Sequence, residues 1–266
     1  MPRLTYLLAL TLSLLAVPVF AHEFWLEPER YQVPAGASVK VRAINGEDFK
    51  GTEYPYNART YTQSGVVVGG QTLRMHGETG QRPAVQLPAA QEGLNVVFHA
   101  SPVMKVVYDD FARFEKFLKG KKLEFVLEEH RAKGFPTDRV GESYYRFAKA
   151  MVAVGDGAGA DKHVGMPFEL VAETNPYTES GPVRFRLLWQ GRPDANAPVF
   201  VFIRQNGAVK KLWLETDGEG RVEVPREAGE YMVNAVRIIE ATPALKEQLN
   251  TVWTTLWASH VYGVEG

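Results

Sequence analysis

Short runs of alternating apolar and polar residues, broken every few positions by Gly or Pro, constrain this chain more than any other feature. In its first part they are Ser38-Val39-Lys40-Val41-Arg42, Gly65-Val66-Val67-Val68 and Leu94-Asn95-Val96-Val97-Phe98, with turns at Pro34-Ala35-Gly36 and Glu92-Gly93. A period of two buries one face of an extended segment, so residues 22–108 are predicted to form an antiparallel β-sandwich. The rhythm returns from Met166 in the runs Phe168 to Val171, Val183 to Leu188, Val199 to Ile203, Lys211 to Leu214, Arg221 to Val224 and Tyr231 to Val233. A tight turn at Thr216-Asp217-Gly218-Glu219-Gly220-Arg221 falls between two of these runs. A second sandwich over residues 166–266 follows, and the class is mainly β with two antiparallel sandwich domains.

Between them the period changes. Phe111, Phe114, Phe117 and Leu118 recur at three or four residues, as do Leu123, Val126 and Leu127. Tyr144, Phe147, Ala148 and Met151 repeat that spacing after a Gly134-Phe135-Pro136 break. This predicts a helical insertion over residues 109–155, its last helix capped by Asp138 or Glu142-Ser143 and closed by Gly155. Tyr144, Tyr145, Arg146 and Lys149 then offer a docking surface on that helix, and the Gly-rich residues 156–165 read as a flexible linker.

The first residues bear on the compartment. Arg3, the uncharged apolar stretch Leu4 to Val17 and the small residues around Val19-Phe20-Ala21 have the form of a signal peptide over residues 1–21, cut before His22. The apolar stretch is shorter than a membrane-spanning helix and has no successor, so a periplasmic protein that does not span the membrane after processing is expected. Cys is absent, which excludes disulfides, thiolate metal sites and a Cys nucleophile. Thirty basic and 31 acidic side chains nearly cancel, which disfavours nucleic acid as a partner. The basic residues of 113–133 read as solvated helix faces.

Cleavage before His22 creates the strongest chemical feature. A terminal His presents its α-amine and imidazole Nδ1 together, so both can chelate one transition-metal ion at neutral pH. Phe24-Trp25-Leu26, apolar and aromatic, would anchor that terminus. Further ligands are sought at His76, beside Met75, at His99, which ends a strand, and at His260 in the final strand Trp257 to Tyr262. His130 and His163 read as solvated and are set aside. Trp253, Trp257 and Tyr262 read as interface filling in preference to a sugar platform. No Gly-x-Ser-x-Gly elbow, His-Glu-x-x-His, phosphate loop or dinucleotide signature occurs, so no enzyme is expected.

Two resemblances add to this. The order strand, Gly-x-Pro, strand, Thr-Asp-x-x-Gly, strand, Ala-Gly-x-Tyr in the last part resembles the small transthyretin-like and carboxypeptidase-regulatory-like sandwich. Four ordered pieces also occur: His22-Glu23-Phe24-Trp25-Leu26-Glu27-Pro28, Glu142 to Ala150, Gly165 to Val171 with Asn175-Pro176-Tyr177, and Trp257-Ala258-Ser259. Together they resemble an exported domain-of-unknown-function family grouped with periplasmic components of cobalt and nickel uptake systems. The resemblance implies a metal-binding accessory to an inner-membrane metal transporter, holding Ni or Co through the terminal His22. Arg237 stands where many members carry His, and His260 is the suggested substitute. Two rival readings are a histidine-brace copper protein, as carrier or oxidoreductase, and a metal-free adhesion or scaffold module.

Overall fold

The computed structural model describes residues 22–266, so the leader predicted over residues 1–21 lies outside the described residues. The first part of the chain forms β1 (Glu23–Pro28), β2 (Gln32–Val33), β3 (Val39–Glu47), β4 (Lys50–Tyr54), β5 (Gln63–Val68) and β6 (Gln71–Arg74). It continues through β7 (Val85–Leu87), β8 (Gly93–Ala100), β9 (Met104–Tyr108), α1 (Phe111–Gly120), α2 (Phe125–Ala132) and β10 (Val140–Val154). Then come β11 (Phe168–Ala172), β12 (Val183–Trp189), β13 (Arg192–Pro193), β14 (Pro198–Gln205) and β15 (Ala208–Glu215). The chain finishes with β16 (Arg221–Val224), β17 (Gly229–Glu240), α3 (Pro243–Leu249) and β18 (Trp253–Val264).

The predicted mainly-β sandwich class is what the chain adopts, and one sheet organises it. Ten strands form this sheet, along the path β15-β14-β17-β18-β10-β8-β5-β6, with β2 and β9 also pairing β10. Pairing is antiparallel except where β10 runs parallel to β18 and to β2. A smaller sheet of β1, β3, β4 and β7 covers one face, and a third sheet of β11, β12, β13 and β16 covers the other.

Strand alternation feeds the two cores from the same central strands. Val66, Val97, Met232 and Val261 meet Trp25, Leu26 and Val41, whereas their neighbours Val67, Val96, Val233 and Tyr262 meet Leu170, Phe185 and Val222. Both cores therefore draw on both ends of the chain. Helices α1 and α2 cover a third cluster, in which Phe114, Leu118 and Val126 pack on Val140, Val236, Trp253 and Trp257. That burial accounts for the two tryptophans, which sit at 1% and 2% exposure as packing residues.

Helices α1 and α2 form where the three-to-four spacing predicts them, and the Asp110 side chain caps α1 by accepting from the Ala112 amide at 2.9 Å. The third predicted helix is instead the strand β10. Its residues Phe147 to Val154 are buried on both faces, which erases the period of two and leaves a continuous apolar run. The proposed docking surface on that helix falls with it, since Lys149 is 1% exposed and Arg146 lies between the rings of Phe24 and Tyr144. The predicted flexible stretch is also tied down: Leu94 N donates to Ala158 O, and Asn175 Nδ2 donates to Gly157 O and Gly159 O. α3 had no apolar period to announce it. It rests on Thr242, whose hydroxyl accepts from Leu245 N, on Pro243 in its first turn, and on Asn250 in the left-handed conformation at its end.

Candidate metal site and the cleft beside it

All six residues of β1 are buried, and the strand pairs β3 in a register that sets Glu23 against Gly46. One step further out, the same register brings His22 to Glu47, with imidazole Nε2 3.9 Å from the carboxylate Oε1. The strand is pinned from the central sheet, because Ser259 Oγ donates to Phe24 O at 2.7 Å and an Arg146 guanidinium nitrogen donates to His22 O at 3.4 Å. The hairpin following Glu47 turns through Asp48 and Phe49, both with positive φ (54° and 58°), the backbone twist a two-residue β-hairpin turn requires.

Glu47 also lines a cleft of about 460 Å³ that lies between α1, the β3–β4 hairpin and β14. Phe117, Phe200 and Tyr108 are among its aromatic walls. Four basic side chains, Arg113, Lys116, Lys121 and Lys211, face three acidic ones, Glu23, Glu47 and Asp48. Lys121 pairs with Glu23 while its ammonium sits over the rings of Trp257 at 5.0 Å and Phe200 at 5.3 Å, and Lys211 pairs with Asp48 at 2.7 Å.

The other three predicted ligands do not converge on His22. His99 is buried against the rings of Phe24 (5.2 Å) and Tyr61 (4.2 Å), and burial, with the Arg146 charge beside it, holds its imidazole at about 3. His76 lines a different cleft of about 490 Å³ with Tyr56, Tyr61, Arg74 and Met75. His260 stands on the opposite face of the central sheet from His99. Its ring packs on Phe185, and its Nε2 bonds Asp161 Oδ2 at 3.1 Å. Arg237, where the resemblance led one to look for His, stacks on Trp189 at 3.6 Å and donates to Asp194 at 2.6 Å. Among the described residues no three His, Asp or Glu side chains gather as a metal cage. His22 and Glu47 thus fit a transition metal only as two side-chain donors of a partial set.

His130, read from the sequence as solvated, is fully buried: its Nδ1 accepts from Trp253 Nε1 at 2.9 Å, so Nε2 carries the proton donated to Pro136 O at 3.0 Å. His163 keeps 39% exposure and reaches Glu169 at 3.3 Å.

Two buried polar clusters escaped the sequence reading. In the first, the Lys149 ammonium lies 2.7 Å from Asp161, 2.9 Å from Glu169 and 3.0 Å from Lys162 O, with His260 on the far side of Asp161. Here a lysine already supplies the cation for the surrounding carboxylates and histidines. Burial pushes the Asp161 carboxyl up, but Lys149 and the His260 hydrogen bond outweigh it and hold the group at about 2. In the second, Glu142 accepts from Tyr108 Oη at 2.9 Å and Thr255 Oγ1 at 2.5 Å, and Trp257 Nε1 donates to that threonine at 3.0 Å. Among the described residues no cation offsets its burial, which lifts the carboxyl to about 7 against the pull of the two hydroxyl donors. A charged residue inside an apolar strand run was the available signal for both clusters, since a lone charge there demands a buried partner.

The fold defines a layered, mainly-β protein with a small helical cover, and no helix among the described residues is long and apolar enough to cross a membrane. The chain belongs to the family described as a domain of unknown function (DUF4198), which matches residues 19–238. No curated protein matches it. Similar solved structures include the D0-D1 domain of Intimin, at 12% identity and TM-score 0.19, covering 91% of this chain and 98% of that one. Another is dimeric latent PorU from Porphyromonas gingivalis, at 12% identity and TM-score 0.20, covering 91% of this chain and 20% of that one.

Proposed function

We propose that the protein is an exported, non-catalytic transition-metal binder whose metal is held at His22 after the leader is removed. The observation that carries this reading is the pairing of His22 with Glu47 on a strand that is buried throughout and tied to the central sheet. An α-amine, an imidazole and a carboxylate held on such a support form a preorganised nitrogen and oxygen donor set suited to Ni, Co, Cu or Zn. Capture or delivery of Ni or Co for an inner-membrane importer in the periplasm is the role we assign, following the family resemblance. A histidine brace is disfavoured, because His99, whose ring packs on Phe24 of the same strand, has the Arg146 cation beside it.

Calorimetric titration of Ni²⁺ into naturally exported protein, beside a form carrying one extra Ala ahead of His22, tests the reading. The free terminus should bind at least about 100-fold more tightly than the blocked one, a difference of about 2.7 kcal/mol, and Glu47→Gln should weaken it by about tenfold. Equal affinity in the free and blocked forms would remove His22 from the site.

A further inference from the structure

We infer that Lys149 and Asp161 condense within the folded chain into an isopeptide bond, with Glu169 carrying a proton between them. This concerns the buried cluster around Lys149 and does not depend on a metal. The amine is removed from water: Lys149 is 1% exposed, and the side chains of Asp161 and Glu169 are at 0%. Its Nζ lies 2.7 Å from Asp161 Oδ1 and 2.9 Å from Glu169 Oε1, so nucleophile, acceptor and proton carrier are already in contact. Partners held in this way react as if at an effective concentration of about 10⁵–10⁸ M.

The two carboxylates are unequal. Glu169 accepts from the backbone amides of Val164 at 3.0 Å and Met166 at 3.1 Å, which favour its ionised form and suit it to take a proton. Asp161 Oδ2 accepts from Ala172 N at 2.9 Å and His260 Nε2 at 3.1 Å. Those two donors are placed to hold the oxyanion that forms when an amine adds to Cγ. The step balances. One ammonium proton crosses to Asp161 Oδ1, the freed lone pair on Nζ attacks Cγ, and the carbonyl electron pair moves onto Oδ2. Glu169 takes a second proton from Nζ and gives it to Oδ1, which leaves as water while the pair on Oδ2 re-forms the carbonyl. Three ammonium protons end as one amide N–H and the two of the water, and Glu169 is regenerated. Asp161 gives its proton up to water readily, at about 2, but this step asks only for a proton to cross from the ammonium beside it. In a dry site two buried charges are exchanged for a neutral amide, and the expelled water does not return to reverse the exchange. Chains that have not reacted keep the ion pair and its acid titration; reacted chains lose both.

Tryptic digestion of the folded full-length chain, with mass measurement of the peptides, tests this. A free Lys149 is cut, giving residues 147–149 and 150–162, whereas the bonded chain should give residues 147–162 uncut and lighter by one water. Dehydration of Asp156 against Gly157 would also cost a water but leaves Lys149 open to the enzyme, so the two are told apart. Glu169→Gln, followed from the time of synthesis, should form the bond at least about 100-fold more slowly, and Lys149→Arg should not form it; melting curves check that both fold. Cleavage of the parent after Lys149, with both pieces at full mass, overturns the inference and needs no variant. A folded Glu169→Gln chain that closes as fast as the parent overturns the role given to Glu169.

Discussion

Glu142 and Lys149 lie on the same strand, β10, on opposite faces by strand alternation, and both are removed from water. Their surroundings differ in one respect. The ammonium of Lys149 is met by two carboxylates and a carbonyl, all within 3.0 Å, while among the described residues the carboxyl of Glu142 is met by the hydroxyls of Tyr108 and Thr255. Equal burial therefore has opposite electrostatic results: Asp161 beside Lys149 is held at about 2, and Glu142 rises to about 7. Hydrogen bonds from neutral donors do not replace a counter-charge when a carboxylate loses its water.

The largest effect should come from removing the counter-charge. Lys149→Met leaves Asp161 and Glu169 facing each other without a cation, and unfolding by urea should show a loss of about 3–5 kcal/mol. A loss below about 1 kcal/mol would mean that water reaches the cluster and that the contrast with Glu142 is illusory.

Next is the pH response of Glu142, whose carboxyl rises from 4.5 to about 7 on folding. Folding then takes up a proton between those values, so stability falls as pH rises through that window, by about 3 kcal/mol at about 1.4 kcal/mol per unit. Glu142→Gln should flatten this fall; an unaltered slope between pH 5 and 8 would assign it to another group.

Asp161 has the opposite sign. Its folded value of about 2 lies below the ordinary 3.8, so its contribution is present above 3.8 and is lost as pH falls toward about 2. The acid limb of the stability curve should lose about 2 kcal/mol there, and Asp161→Asn should erase that limb. The smallest change is Thr255→Val, which removes one donor from Glu142 at a cost of about 1 kcal/mol and should move the Glu142 transition to higher pH. A transition that stays in place would show that the hydroxyl does not hold the carboxylate.

Elements with one buried face were legible in the sequence. Val39 to Val41 and Val222 to Val224 alternate as half-exposed strands do, and the Phe111 to Leu118 spacing marks α1. β10 was not, because Tyr144, Phe147, Ala148 and Met151 satisfy a helical spacing by chance inside a run that is apolar on both faces. His130 was misread for a related reason: it lies in a charged helix, yet its ring is turned toward Trp253, a contact 123 residues away. The candidate site was half legible. His22 stood out through the cut expected before it, whereas Glu47 is its neighbour only through the β1–β3 register, and Lys121 meets Glu23 across 98 residues.

The sequence by itself determined the class of the protein and most of its local elements, since a period of two or of three to four follows from how a single strand or helix divides core from solvent. Only the tertiary structure decided that both sandwich cores share one central sheet, that Lys149 is answered by Asp161 and Glu169 while Glu142 meets two hydroxyls, and that four histidines do not form one site. Those outcomes depend on which distant strands pair and in which register, and that choice minimises the free energy of the whole packed chain, so no local stretch of it records the result.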